Sequence, residues 1–184
     1  MALLGVLLAA GASRRFGPDD KLLAPFAGRP LVLHAAATLM ALAPDRLVAV
    51  VSAPAVANIL PPAFERRFVP AGGALDLSFH AAIDAASAQD ERLMICLGDM
   101  PCVPLRAFRA LLALPGSGAC LCDGQRMPPL LLARADYAAA RSAASGDSGG
   151  RRFLAGLPAD RLVTLARPEG RDIDRPADLS LPDG

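Results

Sequence analysis

Ala2–Ala10 is almost wholly apolar and carries no charge, and it is closed by Gly11 and a cluster of small residues. No Lys or Arg precedes the run, so it lacks the positive leading region of a secretory signal. At about nine residues it is also far below the ~20 needed to span a bilayer. It therefore predicts a strand covered on both faces, the situation of a parallel strand inside an α/β sheet. Pro, Gly or charge interrupts every other apolar stretch, and no membrane association is expected.

The rest of the chain alternates in the same style. Strands are predicted at Leu3–Leu8, Arg46–Val51, Arg67–Val69, Leu93–Leu97, Ala119–Cys122, Leu130–Ala133 and Leu162–Ala166. Helical spacing marks Pro30–Leu42, Ala53–Leu60, Ala74–Ser87, Pro104–Leu114, Asp136–Ala144 and Arg151–Gly156, with Pro104 at a tolerated first-turn position. This alternation predicts an α/β chain with a three-layer, mostly parallel, doubly wound sheet. No repeat or long linker divides it, so residues 1–184 are expected to form a single domain. Ligands bind such sheets beyond the carboxyl ends of the strands. The segments to inspect are therefore Ala9–Lys21, Gly98–Val103 and the loops near Asp147 and Asp172.

Composition removes several function classes. Hydrophobic residues make up 53% of the 184 positions, enough to bury a core and exclude disorder. A net charge of +1 argues against a sequence-independent nucleic-acid binder, which needs a basic surface to displace counterions. Aromatics are 4% and Trp is absent, so no stacking platform for single strands is expected. Cys96, Cys102, Cys120 and Cys122 lack paired metal-ligand spacing, and His34 and His80 lie far from them. Scattered thiols without a secretion signal point to a reducing, cytoplasmic setting.

Three segments carry candidate chemistry. In Leu8-Ala9-Ala10-Gly11-Ala12-Ser13-Arg14-Arg15-Phe16-Gly17 a strand runs into small residues, whose backbone amides can approach a phosphate closely. Arg15 and Lys21 supply charge to neutralise a polyphosphate. The segment is neither a Walker loop nor G-x-G-x-x-G, since Ser13 stands where the second Gly belongs. The plainer reading is a structural turn. In the second segment, Asp99 follows a buried strand at Gly98-Asp99-Met100-Pro101, where a hard carboxylate suits Mg²⁺; a turn or cap role is the alternative. In the third, Asp172 and Asp174 stand two apart in an extended stretch and face one side. There the alternative is that Asp174 caps a short helix beginning Arg175-Pro176.

Together these segments resemble the nucleotidyltransferase superfamily, and within it the molybdenum cofactor cytidylyltransferase type of the MobA-like NTP transferases. That type carries L-A-A-G-x-S-x-R-x-G with a following K-L-L, then G-D-M-P, G-D-x-G-x-R and D-I-D-x-P-x-D-L. Leu8–Gly17 with Lys21–Leu23, Gly98–Pro101, Gly146–Arg151 and Asp172–Leu179 reproduce these in order along the whole chain. The resemblance implies a Rossmann-like nucleotidyltransferase fold and transfer of CMP from CTP to a phosphorylated molybdopterin acceptor, with release of pyrophosphate. It implies nucleotide contacts from Leu8, Ala9, Ala10, Gly11, Ser13, Arg15, Lys21, Gly98 and Asp99, with Lys21, Arg15 and Asp99 in catalytic roles. It also implies Mg²⁺ on Asp99 and Asp174, an acceptor pocket using Asp147, Arg151 and Asp172, and a molybdoenzyme as eventual partner.

Ala10-Gly11 stands where sister guanylyltransferases have Gly-Gly, which favours cytidine. Two features depart from the pattern. Pro18-Asp19-Asp20 adds one residue between Gly17 and Lys21, and Met127-Pro128-Pro129 replaces Gly-His-Pro. A phosphomonoester acceptor is mostly dianionic near neutral pH and needs no general base. That agrees with the absence of an evident Ser–His pair, and His34 and His80 are read as surface or packing residues. Competing readings are a same-fold transferase using GTP or acting on a sugar phosphate or methylerythritol phosphate, a non-catalytic nucleotide-binding accessory protein, and a dinucleotide-dependent dehydrogenase.

Overall fold

A computed structural model describes residues 2–11, 16, 20–73, 75–144, 146 and 150–179. The expected positions Ser13, Arg15 and Asp147 lie outside these residues. The strands are β1 (Ala2–Ala9), β2 (Pro25–Phe26), β3 (Arg29–Pro30), β4 (Arg46–Val51), β5 (Glu65–Phe68), β6 (Asp90–Leu97), β7 (Gly118–Cys122), β8 (Gln125–Ala133) and β9 (Leu162–Thr164). The α-helices are α1 (Val32–Ala41), α2 (Pro54–Ile59), α3 (Leu75–Asp84), α4 (Leu105–Leu112), α5 (Tyr137–Ala143) and α6 (Arg151–Gly156). Among the described residues no helix is long and apolar enough to cross a membrane.

Seven strands form the main sheet in the order β5-β4-β1-β6-β8-β7-β9. β5, β4, β1 and β6 pair in parallel, and β9 pairs in parallel with β7. β8 runs antiparallel to both β6 and β7. This is the mostly parallel, doubly wound arrangement expected from the alternation of elements. β1 is central, and its two sets of side chains enter two different cores. Leu3, Leu7 and Ala9 pack on the side of α1, α2 and α4 with Leu39, Val56 and Phe108. Leu4 and Val6 pack on the side of α3, α5 and α6 with Phe79, Ala140 and Leu154. A strand buried on both faces has no room for alternating polar residues, which accounts for the continuous apolar run.

The reversal at β8 was not anticipated. Asp123 and Gly124 both take positive φ, 48° and 76°, and link Cys122 to its partner Gln125. That is the backbone of a two-residue hairpin turn, for which Asp-Gly is a favoured pair. A second small hairpin, β2–β3, turns through Ala27 and Gly28 and occupies the start of the segment read as helix from Pro30. The chain also slips register between Ala119, opposite Leu130, and Cys120, opposite Met127. Pro128 and Pro129 fill that bulge, as residues unable to donate to a sheet ladder do.

At the amino end of β6, Asp90 is 1% exposed. Its Oδ2 accepts from Ser87 N at 2.7 Å, Ser87 Oγ at 2.8 Å and Arg46 Nη1 at 2.6 Å. Burial alone pushes the Asp90 carboxyl up, but the Ser87 hydrogen bonds and the Arg46 charge outweigh it and hold it below the usual range. A lowered carboxylate stabilises the fold above about pH 4 and loses that contribution as pH falls through its folded value. Asp90→Ala is expected to cost on the order of 3 kcal/mol at pH 7. Urea unfolding at pH 7 and pH 3 should show the gap to the wild type narrowing in acid; a gap independent of pH would remove the carboxylate as its source.

Candidate active site

The site begins where β1 and β6 end side by side. Gly98 N donates to Leu8 O at 2.9 Å, carrying the β1–β6 ladder one residue past the strand. This sets Asp99 at the rim of the sheet. The chain's last described segment is tied to the same point, because Ile173 N donates to Asp99 O at 2.9 Å and the Ile173 side chain is buried with Phe26 and Leu31. Asp172 and Asp174 flank that anchor.

Lys21 arrives from a third direction. Asp20 accepts from Leu22 N at 3.0 Å and caps the short 3₁₀ turn Lys21–Leu23. Asp20 ends the three-residue spacer that departs from the family pattern, and here it is the cap of the turn that carries Lys21. The Lys21 ammonium lies 2.7 Å from Asp99 Oδ2 and 2.9 Å from Asp174 Oδ1, with the residue only 8% exposed. Burial by itself pulls the ammonium's pKa down, but the Asp99 and Asp174 carboxylates outweigh it and the net shift is upward. Lys21 therefore stays charged throughout the neutral range, and its pairing is lost only as pH rises through that elevated value.

Among the described residues Asp99 Oδ1 is buried and has no hydrogen-bond partner. An unsatisfied buried carboxylate oxygen is costly, so this atom is the most reactive feature of the cluster toward a cation. Asp172 is half-buried near the pair. Burial pushes its carboxyl up, and the like charges of Asp174 and Asp99 add to that.

The capping alternative for Asp174 does not hold: its carboxylate faces Lys21. Asp178 does the local bracing instead, accepting from Asp174 N at 3.0 Å and Arg175 N at 2.8 Å ahead of the 3₁₀ turn Pro176–Leu179. The two histidines are engaged elsewhere, His34 Nε2 with Phe26 O at 2.7 Å and His80 Nε2 with Arg141 O at 3.1 Å. The described cysteines are free, and burial pushes Cys96 and Cys120 up to about 12, far from a nucleophilic thiolate.

A cavity of about 260 Å³ adjoins this rim on the α3 and α6 side, with Leu8 and Asp172 on its wall. Arg151 reaches it from the start of α6. Of the expected residues, Lys21, Asp99 and Asp174 thus form one cluster, while Leu8, Asp172 and Arg151 line the neighbouring cavity. Ala9 and Ala10 lie buried at the end of β1, and Ser52 Oγ donates to Ala10 O at 3.3 Å. Ser52 was not anticipated, although it follows another parallel strand at the same edge. Phe79 and Arg126, also on the cavity wall, carry no motif that would have marked them.

A family model described as the MobA-like NTP transferase domain matches residues 5–163. The chain belongs to this family. It is 29% identical over 187 residues to nicotine blue oxidoreductase of Paenarthrobacter nicotinovorans, covering 92% of this chain and 91% of that protein. Among solved structures it is similar to Rv0371c of Mycobacterium tuberculosis H37Rv in complex with manganese, with a TM-score of 0.80 at 19% identity over 97% of this chain and 96% of that one. It is likewise similar to a nucleotidyl transferase from Methanothermobacter thermautotroptrophicus, with a TM-score of 0.76 at 18% identity over 96% and 94% of the two chains. At these identities the structural likenesses establish the fold.

Lys21→Met removes the ammonium from between Asp99 and Asp174. The expected cost is about 2–3 kcal/mol at pH 7, moderated by the partial exposure of Asp174. Thermal melts at pH 7 should show this loss as a lowered melting temperature; an unchanged one would mean that the buried ion pair adds nothing to stability.

Proposed function

We propose that this protein is a nucleotidyltransferase acting as one NTP transferase domain over residues 1–184, moving CMP from CTP to the phosphate of a molybdopterin-type acceptor and releasing pyrophosphate. The observation that carries this reading is the buried Lys21 held between Asp99 and Asp174 at the carboxyl edge of the sheet, with Asp99 Oδ1 unpartnered among the described residues.

Asp99 and Asp174 bring hard oxygen donors suited to Mg²⁺ to one point. Among the described residues no group of three or more His, Cys, Asp or Glu side chains is arranged as a metal cage. Mg²⁺ does not require one, since it commonly takes one or two carboxylates and completes its shell with water and substrate phosphate. Asp99 and Asp174 would hold it. Bound there, the ion supplies charge neutralisation for the triphosphate and the departing pyrophosphate.

The chain's own groups account for the rest. The small residues Ala9, Ala10, Gly11 and Ser13 let backbone amides approach the nucleotide phosphates. Lys21 and Arg15 offset the charge that develops on the leaving group. The acceptor's dianionic phosphate oxygen forms the new bond to the α-phosphorus as the α–β bond breaks, and pyrophosphate leaves with the electron pair. No residue must remove a proton, which suits a site where neither histidine and no thiolate is at hand. The acceptor lies in the cavity that Asp172 and Arg151 line, and the resemblance adds Asp147 to its contacts. The free thiols suit a reducing cytoplasm, and a molybdoenzyme would receive the product.

A panel of CTP, GTP and other triphosphates against molybdopterin and sugar phosphates tests this reading by pyrophosphate release, which is expected only with CTP and molybdopterin together. Asp99→Asn should lower turnover by roughly a thousandfold, about 4 kcal/mol of transition-state stabilisation, while the protein stays folded, with a melting temperature lowered by the loss of one partner of Lys21. Near-normal turnover would take Asp99 out of the mechanism. Because the match to an oxidoreductase extends along nearly the whole chain, consumption of a reduced nicotinamide without pyrophosphate release is the result that would replace this reading.

A further inference from the structure

We propose that Arg126 is the specificity-determining cation of the cavity, reading an anionic group on a ligand whose flat, apolar ring system lies against the cavity wall. The inference deepens the acceptor reading above and rests on it for the ligand's role in turnover, but not for its binding.

At about 260 Å³ the cavity is small for a ligand site. It fits a ring system rather than a whole nucleotide. Its walls are mostly apolar, built from the ends of β1 and β6, Phe79 of α3 and Leu154 of α6. A sugar or polyol would leave hydroxyls unpaired against such walls, a cost that a flat heterocycle avoids. The polar groups are few and specific: Gln125, Arg126, Arg151 and Asp172. Two guanidiniums against one carboxyl favour a ligand bearing negative charge.

Arg126 differs from Arg151 in being fixed in advance. It is half-buried where β8 begins, and its Nη1 donates to Leu154 O at 3.1 Å and to Ala155 O, both near the end of α6. A cation near the end of a helix is also favoured by the helix dipole. Among the described residues its Nε and Nη2 make no hydrogen bond. The side chain thus has one nitrogen spent on holding α6 and two others available, in a fork that matches oxyanions. A group already immobilised loses little entropy when the ligand arrives. Arg151, exposed at the first position of α6, has no such restraint.

The opposite wall is also fixed. A Cβ on Gly150 would stand 2.6 Å from Phe79 Cε2. The Phe79 ring can lie against the start of α6 only because Gly150 has no side chain.

The test uses two probes bound by the full-length protein and followed by fluorescence: 4-methylumbelliferyl phosphate, a flat bicycle with one phosphomonoester, and 4-methylumbelliferone, the same bicycle without it. Arg126→Gln keeps an amide that can donate to the α6 carbonyls but removes the charge. It should weaken the phosphate probe by roughly ten- to a hundredfold and leave the uncharged probe unchanged. Arg126→Lys should restore most of the preference for the phosphate. Gly150→Ala, which displaces Phe79, should weaken both probes alike. If Arg126→Gln weakens both probes equally, or neither, Arg126 is only a brace for α6 and the proposal fails. Should Arg126→Gln not fold, Arg126→Lys decides: a lost phosphate preference in a variant that keeps the charge overturns the proposal, and a retained one supports it. A probe preference that follows Arg126 while CTP yields no pyrophosphate with any acceptor would retire the transferase reading and leave this site standing.

Discussion

A single ammonium, Lys21 Nζ, stands 2.7 Å from Asp99 and 2.9 Å from Asp174, and three remote segments of the chain meet there. Charges taken out of water must be paired and hydrogen-bonded to be tolerable, so each segment is held to the position the other two require. Asp20 sets the turn that carries Lys21, the β1–β6 ladder sets Asp99, and Asp178 with the Ile173–Asp99 backbone bond sets Asp174. Among the described residues Asp99 Oδ1 remains buried and without a partner, the kind of unrelieved cost that functional sites retain.

The cavity beside this cluster depends on the one strand that runs the other way. Because β8 is antiparallel to β6, its first residues, and not its last, reach the carboxyl edge of the sheet. The register slip opposite Ala119 and Cys120 bulges Pro128 and Pro129 out of the ladder there. Gln125–Pro128 therefore border the cavity, facing the short helix α6. A strand that began elsewhere would have closed this edge with backbone. Asp172, on the cavity wall and within electrostatic reach of Lys21, Asp99 and Asp174, joins the two halves of the site. The family resemblance establishes this scaffold, while chemistry on such scaffolds is decided by the site; a relative named as an oxidoreductase is a reminder of that.

Much of the scaffold was legible in the sequence. Arg46–Val51 matches β4 at both ends, and Arg151–Gly156 matches α6. The uncharged run at the amino end correctly marked a strand covered on both faces. The reversal at β8 was missed although Asp123-Gly124 signalled it, since apolar β7 and β8 fit a parallel pattern equally well when the turn is ignored. The site was legible where a residue follows a strand directly, as Asp99 does. Asp174 was ambiguous because a carboxylate before Arg175-Pro176 suits a cap as well as an ion pair, and only the position of Lys21 decides between them.

Periodicity, which acts over a few residues, indicated a mostly parallel sheet, its helical layers and the strand ends at which to look for a ligand. It could not determine that a lysine from residue 21 would be buried between carboxylates at 99 and 174. Nor could it show that Arg126 would lend one nitrogen to α6 while lining a cavity. Those relations join positions far apart in the chain, where no local spacing constrains distance. They exist because packing both apolar faces of one sheet brings strand ends, loops and the last described segment together at its rim, where a buried charge is tolerable only when paired.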